Sequence, residues 1–312
     1  MSTPSSHVAS TGDGAEIYYE SHGVGQAILS IGGVGAGVST FSTIAPLISE
    51  EFKFITYDRR GTYRSTGARD RSLKMAEQST DIIAVQRAAG VSSSVIFASC
   101  GGASIAFDLV SRFPSSVDAL VVHEPLTLSV LPDAAEQIAF FRRLRETNSE
   151  EGPVPAMRMF MERHDLEITP AFRALTERSG DSSFRNEVMP MAEFVPDYEA
   201  IRASGVPLMM AVGEVSRAGG YGFARTVPLL AEKFSCETAI FPGGHIFHDQ
   251  PEPFSAALRA AVRKALEGQE SKCGAVGYYS GQKSWAEPAG PRTTASRTTT
   301  PFISTASASL GR

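Results

Sequence analysis

The residues best suited by type and spacing to do chemistry lie in Val95-Ile96-Phe97-Ala98-Ser99-Cys100-Gly101-Gly102-Ala103, where an apolar run passes through small and polar residues straight into a helical pattern. A sharp strand-to-helix turn of this kind lifts one side chain clear of the strand end, and it needs small residues because the backbone there is crowded. Ser99 is read as the residue at the tip, with Gly101 two positions later and Gly102 packing the helix. The helix N-terminus aims free N–H groups and the positive end of its dipole at the same place, which favours an oxyanion. Two other readings stay open. The same turn shifted by one position makes Cys100 a thiolate nucleophile, and the bland reading is a serine that caps a helix.

A serine hydroxyl is a weak nucleophile until an imidazole takes its proton and a carboxylate holds that imidazole in place. Of the six histidines, His7 lies in a start expected to be disordered, His22 in an early turn and His164 in a helical stretch, which leaves His123, His245 and His248. The carboxylate candidates are Glu124, at the end of Val121-Val122-His123-Glu124-Pro125, and Glu214, in Gly213-Glu214-Val215-Ser216-Arg217. Catalytic groups gather at the carboxyl ends of strands in open α/β sheets, which favours Glu124; Glu214 comes very early in its loop. Strand alternation turns His123 to the other face, in a structural role. The glycine-rich loop Gly32-Gly33-Val34-Gly35-Ala36-Gly37 lets the main chain approach a substrate closely. It lacks the Lys-Ser/Thr of a phosphate loop and the acidic residue of a dinucleotide site.

These residues need a scaffold, and the chain is long enough to build one: 312 residues, 42% hydrophobic and 20% charged, in the ordinary globular range. Short apolar runs alternate with helix-length amphipathic segments, the pattern of an α/β fold with a mostly parallel sheet flanked by helices. The predicted strands are Ala27–Ile31, Phe52–Tyr57, Ser94–Ala98, Ala119–His123, Pro207–Val212 and Glu237–Phe241, with Glu16–Glu20 beginning an antiparallel edge. One predicted helix carries Ala103, Ala106, Phe107 and Val110 on a single stripe and stops at Phe113-Pro114; another carries Phe254, Leu258, Ala261, Val262 and Ala265. The expected organisation is a core of residues 1–125 and 205–268, a helical cap over 126–204 and a disordered Ser/Thr-rich tail over 269–312. Within the cap, Met157, Phe160, Met161 and Met191 are candidate lining for an apolar pocket, or else members of a small core.

Twenty-nine Lys and Arg against 34 Asp and Glu give a net charge of −5 with no long basic run, so neither nucleic acid nor an anionic membrane is an expected partner. Three scattered cysteines suit neither a disulfide framework nor a metal site, and no stretch reads as a signal peptide or a membrane span. The expectation is a soluble cytoplasmic protein with no metal, its partner a small molecule.

The turn around Ser99 and the alternation from about Ala15 to Leu266 resemble the α/β-hydrolase superfamily, whose turn usually reads G-x-S-x-G; here Phe97 replaces the first glycine. The resemblance implies the α/β-hydrolase fold with His245, in Phe241-Pro242-Gly243-Gly244-His245, as the base. It implies an oxyanion hole built from the N–H of Val34 or Gly33 and that of Cys100. The superfamily's usual acid position points to Glu214, whereas a His-Glu pair like that of zearalenone lactonases points to Glu124. Tyr57-Asp58-Arg59-Arg60-Gly61-Thr62-Tyr63-Arg64-Ser65 is similar to a strand-end turn of the same superfamily, with Tyr63 where glycine is usual, and a scaffolding role is expected. The implied activity is a cofactor-free serine hydrolase that cleaves a carboxylic ester or lactone of an apolar small molecule through an acyl-enzyme. A non-hydrolytic ligand receptor, a lyase and an acyltransferase are the alternatives.

Overall fold

The computed structural model describes residues 5–167, 170–246 and 249–272. Its strands are β1 (Ser5–Ser10), β2 (Glu16–His22), β3 (Ala27–Ile31), β4 (Lys53–Tyr57), β5 (Ser94–Ser99), β6 (Val117–His123), β7 (Leu208–Gly213) and β8 (Glu237–Phe241). They form one sheet in the order β1-β2-β4-β3-β5-β6-β7-β8, with β1 and β2 antiparallel and the strands from β4 to β8 parallel. The helices are α1 (Ala45–Ile48), α2 (Met75–Ala88), α3 (Gly102–Arg112), α4 (Ala134–Glu151), α5 (Pro153–Arg163), α6 (Pro170–Asn186), α7 (Val188–Ala192), α8 (Tyr198–Ala203), α9 (Glu214–Gly219), α10 (Gly222–Phe234) and α11 (Pro251–Lys272).

The central strands are buried on both faces, which is why they read as continuous apolar runs. Their alternation still sorts the side chains into two cores. Ile28, Phe54, Val95, Phe97, Val121 and Met209 face α1 and α11 on one side, where Phe254, Leu258 and Val262 meet them. Leu29, Ile55, Ile96, Ala98, Val122 and Met210 face the other side, against the Ala103, Ala106, Phe107 and Val110 stripe of α3.

Three expectations change. The start is a strand: β1 pairs along β2, and the His7 ring stacks on Tyr19 at 5.2 Å. β2 is consequently an interior strand held between β1 and β4. At the other end α11 runs through Lys272, past the expected boundary at 268; the rest of the proposed tail, 273–312, lies outside the described residues. Between β6 and β7 the described residues are helical or irregular, with α4 to α8 and no strand.

His123, the last residue of β6, is fully buried between Phe241 (5.7 Å, stacked) and Phe254 (5.3 Å, edge-on). Burial, only partly opposed by the neighbouring Glu124 carboxylate, pushes its imidazole down to about 4 from 6.5. A base depressed in the folded state takes up its proton more readily when unfolded, so its destabilising effect begins as pH falls below about 6.5 and grows toward 4. By pH 5 this one group should cost roughly 2 kcal/mol. Urea unfolding at pH 7 and pH 5 should therefore show His123→Leu losing less stability on acidification than the parent, and equal losses would contradict the assignment.

Candidate active site

The parallel strands all end on the same edge of the sheet, and the loops that leave them bring together the chemistry-bearing residues: Gly33 and Val34 after β3, Arg59 after β4, Cys100 after β5, Glu124 after β6 and His245 after β8.

At the turn between β5 and α3 the left-handed position falls one residue after Ser99. Ser99 is the last residue of β5, paired with His123 and 3% exposed, and among the described residues no hydrogen bond joins it to His245. Cys100 occupies the tip, with a left-handed backbone (φ 54°). A non-glycine residue there costs about 1–2 kcal/mol and is kept where surrounding structure forces it. The forcing contacts lie on either side. A Cβ on Gly102 would run into the Ile31 carbonyl oxygen, so only glycine lets α3 start this close to β3. Ala98 and Gly102 are thus the small residues two positions either side of Cys100, and Phe97 takes no part in the motif.

His245 lies between two partners. Its Nδ1–H donates to Glu124 Oε2 at 2.8 Å, and its side chain is only 10% exposed. The Cys100 sulfur is its other polar neighbour. Burial opposes the imidazolium charge, but the Cys100 sulfur and the hydrogen-bonded Glu124 outweigh it and push His245 up to about 10. With Nδ1 engaged by the carboxylate, Nε2 is the nitrogen left to exchange a proton with sulfur. Glu124 is fully buried and left-handed (φ 45°), and its Oε1 accepts from the Gly213 N–H at 2.8 Å. Burial alone would raise its pKa; the bond from His245 and the charges of His123 and His245 hold it down to about 2. Glu214 is exposed at the first position of α9, away from this contact. His248, the other candidate base, lies outside the described residues.

The Gly32–Gly37 loop approaches the turn so closely that a Cβ on Gly33 would lie 2.7 Å from Cys100 Cβ. Among the described residues, the N–H groups of Gly33, Val34 and Gly101 carry no hydrogen bond. The Cys100 N–H, the donor expected from the sequence, donates to the His123 carbonyl at 3.0 Å. The strand-end turn after β4 does more than the expected scaffolding. Arg64 pairs with Asp58 at 2.6 Å, and Arg60 pairs with Asp13 and Asp81, but Arg59 reaches the glycine loop. Its guanidinium donates to the Gly32 and Gly33 carbonyls at 2.9 and 2.8 Å and pairs with Glu187 at 2.6 Å. Sequence reasoning missed Arg59 and Glu187 as site neighbours.

The four apolar residues expected to line a pocket separate. Met191 is fully buried directly on the turn, where a Cβ on Gly101 would meet its sulfur. Phe160 belongs to a ring cluster with His164 (4.7 Å) and Phe223 (6.0 Å), and Phe223 stacks on His245 at 4.4 Å. Met161 is buried in packing, and Met157 lines a surface depression with Val154, Arg158, Arg173 and Thr176.

Residues 26–164 match the sequence family described as the alpha/beta hydrolase fold. An uncharacterized hydrolase, YraK of Bacillus subtilis, is 28% identical over 267 residues, covering 80% of this chain and 94% of that protein. Among solved structures, an esterase from Exiguobacterium antarcticum superposes with a TM-score of 0.70 at 18% identity, covering 83% of this chain and all of the other. The proline iminopeptidase of Mycobacterium smegmatis does so at 0.64 and 17%, covering 84% and 100%.

The two neighbours of His245 make a direct prediction. Following its ring resonances by NMR through a pH titration, Glu124→Gln and Cys100→Ala should each bring its pKa down from about 10 toward the ordinary 6.5. A value unmoved by either change would contradict the described contacts.

Proposed function

The chain belongs to the α/β-hydrolase superfamily, and on that premise we propose that it is a cysteine hydrolase of carboxylic esters or lactones, with Cys100 as nucleophile, His245 as proton carrier and Glu124 as the carboxylate holding the imidazole. One observation carries the reading: the left-handed residue at the turn is a cysteine whose sulfur neighbours His245, itself bonded to Glu124.

The steps follow from that geometry. From the thiolate–imidazolium pair, sulfur attacks the substrate carbonyl carbon and the carbonyl π electrons move onto oxygen. The N–H groups of Gly101 and Val34 receive that oxyanion. Collapse breaks the bond to the leaving oxygen, which takes the Nε2 proton of His245. Water then attacks the thioester, its proton passes to His245, and a second collapse frees the acid and restores the thiolate. Glu124 stays ionised throughout, since it is held well below the working pH range.

The α4–α8 insertion serves as a cap. Met191 on the turn and the Phe160–Phe223 rings beside His245 favour an apolar acyl or lactone group. The Glu that follows β6 is the acid placement that zearalenone lactonases share, which supports a lactone among the substrates.

The test is a set of kcat values on p-nitrophenyl esters of graded chain length. Cys100→Ala should lower kcat by about 10³-fold or more and Glu124→Gln by about 10²- to 10⁴-fold, with Ser99→Ala and Glu214→Gln within about threefold of the parent. Loss of activity in Ser99→Ala with retention in Cys100→Ala would overturn the proposal.

A further inference from the structure

The glycine loop lies between two neighbours in the sheet order: β3 is flanked by β5, which leads to Cys100, and by β4, which leads to Arg59. Cys100 therefore touches the loop from one side and Arg59 from the other. Nη1 of Arg59 donates to the Gly32 carbonyl at 2.9 Å and Nη2 to the Gly33 carbonyl at 2.8 Å. In a trans peptide the C=O and N–H point in opposite directions. The Gly32 carbonyl shares its peptide with the Gly33 N–H, and the Gly33 carbonyl shares its peptide with the Val34 N–H. Holding both carbonyls on the Arg59 side turns both N–H groups away from it, and Gly33 meets Cys100 on its other side.

Glu187 completes the clamp from the insertion. It sits between α6 and α7, and its Oε2 accepts from Arg59 at 2.6 Å and from the Gly35 N–H at 2.8 Å. Both side chains are nearly fully buried, at 2% and 4% exposure. Burial works against the guanidinium charge, but Glu187, together with the neighbouring Tyr57 and Tyr63, more than compensates, so the net shift of Arg59 is upward. A buried ion pair is a weak source of stability, because its desolvation cost offsets most of its attraction. Its geometric role is stronger, since two carbonyls and one N–H of a single glycine loop bond to it, the Gly33 carbonyl also accepting from the Ala36 N–H at 3.1 Å.

We propose that Arg59 and Glu187 are positioning residues that hold the Val34 N–H in its oxyanion-binding orientation, and that the loop is set only while the insertion bearing Glu187 is docked on the core. The inference rests on the cysteine hydrolase reading.

Its test compares two reactions of the same sulfur. Hydrolysis of p-nitrophenyl acetate needs an oxyanion site, whereas alkylation by iodoacetamide proceeds by displacement at carbon and needs none. The double variant Arg59→Met/Glu187→Gln removes both charges and leaves no unpaired ion; Arg59→Lys keeps the ion pair and lacks the fork that spans two carbonyls. The double variant should lower kcat by about 10- to 100-fold with KM little changed, and Arg59→Lys should lose less. In both, the rate of Cys100 alkylation and its pH profile should match the parent. A kcat within twofold of the parent in either folded variant, or alkylation falling in step with kcat, would overturn the proposal. If the double variant does not fold, Arg59→Lys alone decides. Failure of the underlying reading looks different: the parent, fully alkylated at Cys100, would still hydrolyse the ester, and both proposals would fall.

Discussion

The constraint on which the site depends is the close approach of three backbone segments: the end of β3, the turn at Cys100 and the start of α3. Gly102 slips under the Ile31 carbonyl and Gly33 lies against Cys100, so the chain between β5 and α3 has no room for an ordinary conformation at its tip. Cys100 takes the left-handed state, its N–H is used by His123 and its carbonyl by Leu126, and the sulfur is what remains to meet His245. Replacing either glycine would push the loop away from the turn and separate whatever donors the loop holds from that sulfur.

Charge inside the molecule follows the same economy. Glu124 is fully buried, yet it accepts from a backbone N–H and from His245, so each carboxylate oxygen has a donor. Arg59 and Glu187 neutralise one another and share the polar groups of the glycine loop. These are two distinct clusters, one holding the imidazole and one holding the loop. Because Glu187 belongs to the helical insertion, the second ties that insertion to the strand-end loops.

The sheet was legible in the sequence because strands buried on both faces must be apolar throughout, and β3, buried along its whole length, runs over the residues expected; β8 also does, although it is an edge strand whose residues are mostly exposed. β1 was not, since five of its six side chains are exposed and its residues carry almost no apolar signal. The turn was recognisable, but the glycine spacing favoured a tip at Ser99 and left Cys100 as the shifted alternative. What separates the two is a positive φ and a contact with the Ile31 carbonyl, neither of which a pattern of small residues encodes. The carboxylate beside His245 had two candidates in the sequence, and only the packing of strand ends distinguishes Glu124 from Glu214. Arg59 stood within a noticed motif, yet its partner Glu187 lies 128 positions away, beyond any local pattern.

The central claim is that the sulfur of Cys100 forms the covalent bond to substrate. Rapid mixing with a p-nitrophenyl ester, acid quenching within the first turnover and peptide mapping by mass spectrometry would locate the acyl group. The account predicts the added acyl mass on Cys100, removable by neutral hydroxylamine as a thioester should be. An acyl group on Ser99, or continued turnover with no covalent adduct on Cys100, would contradict it.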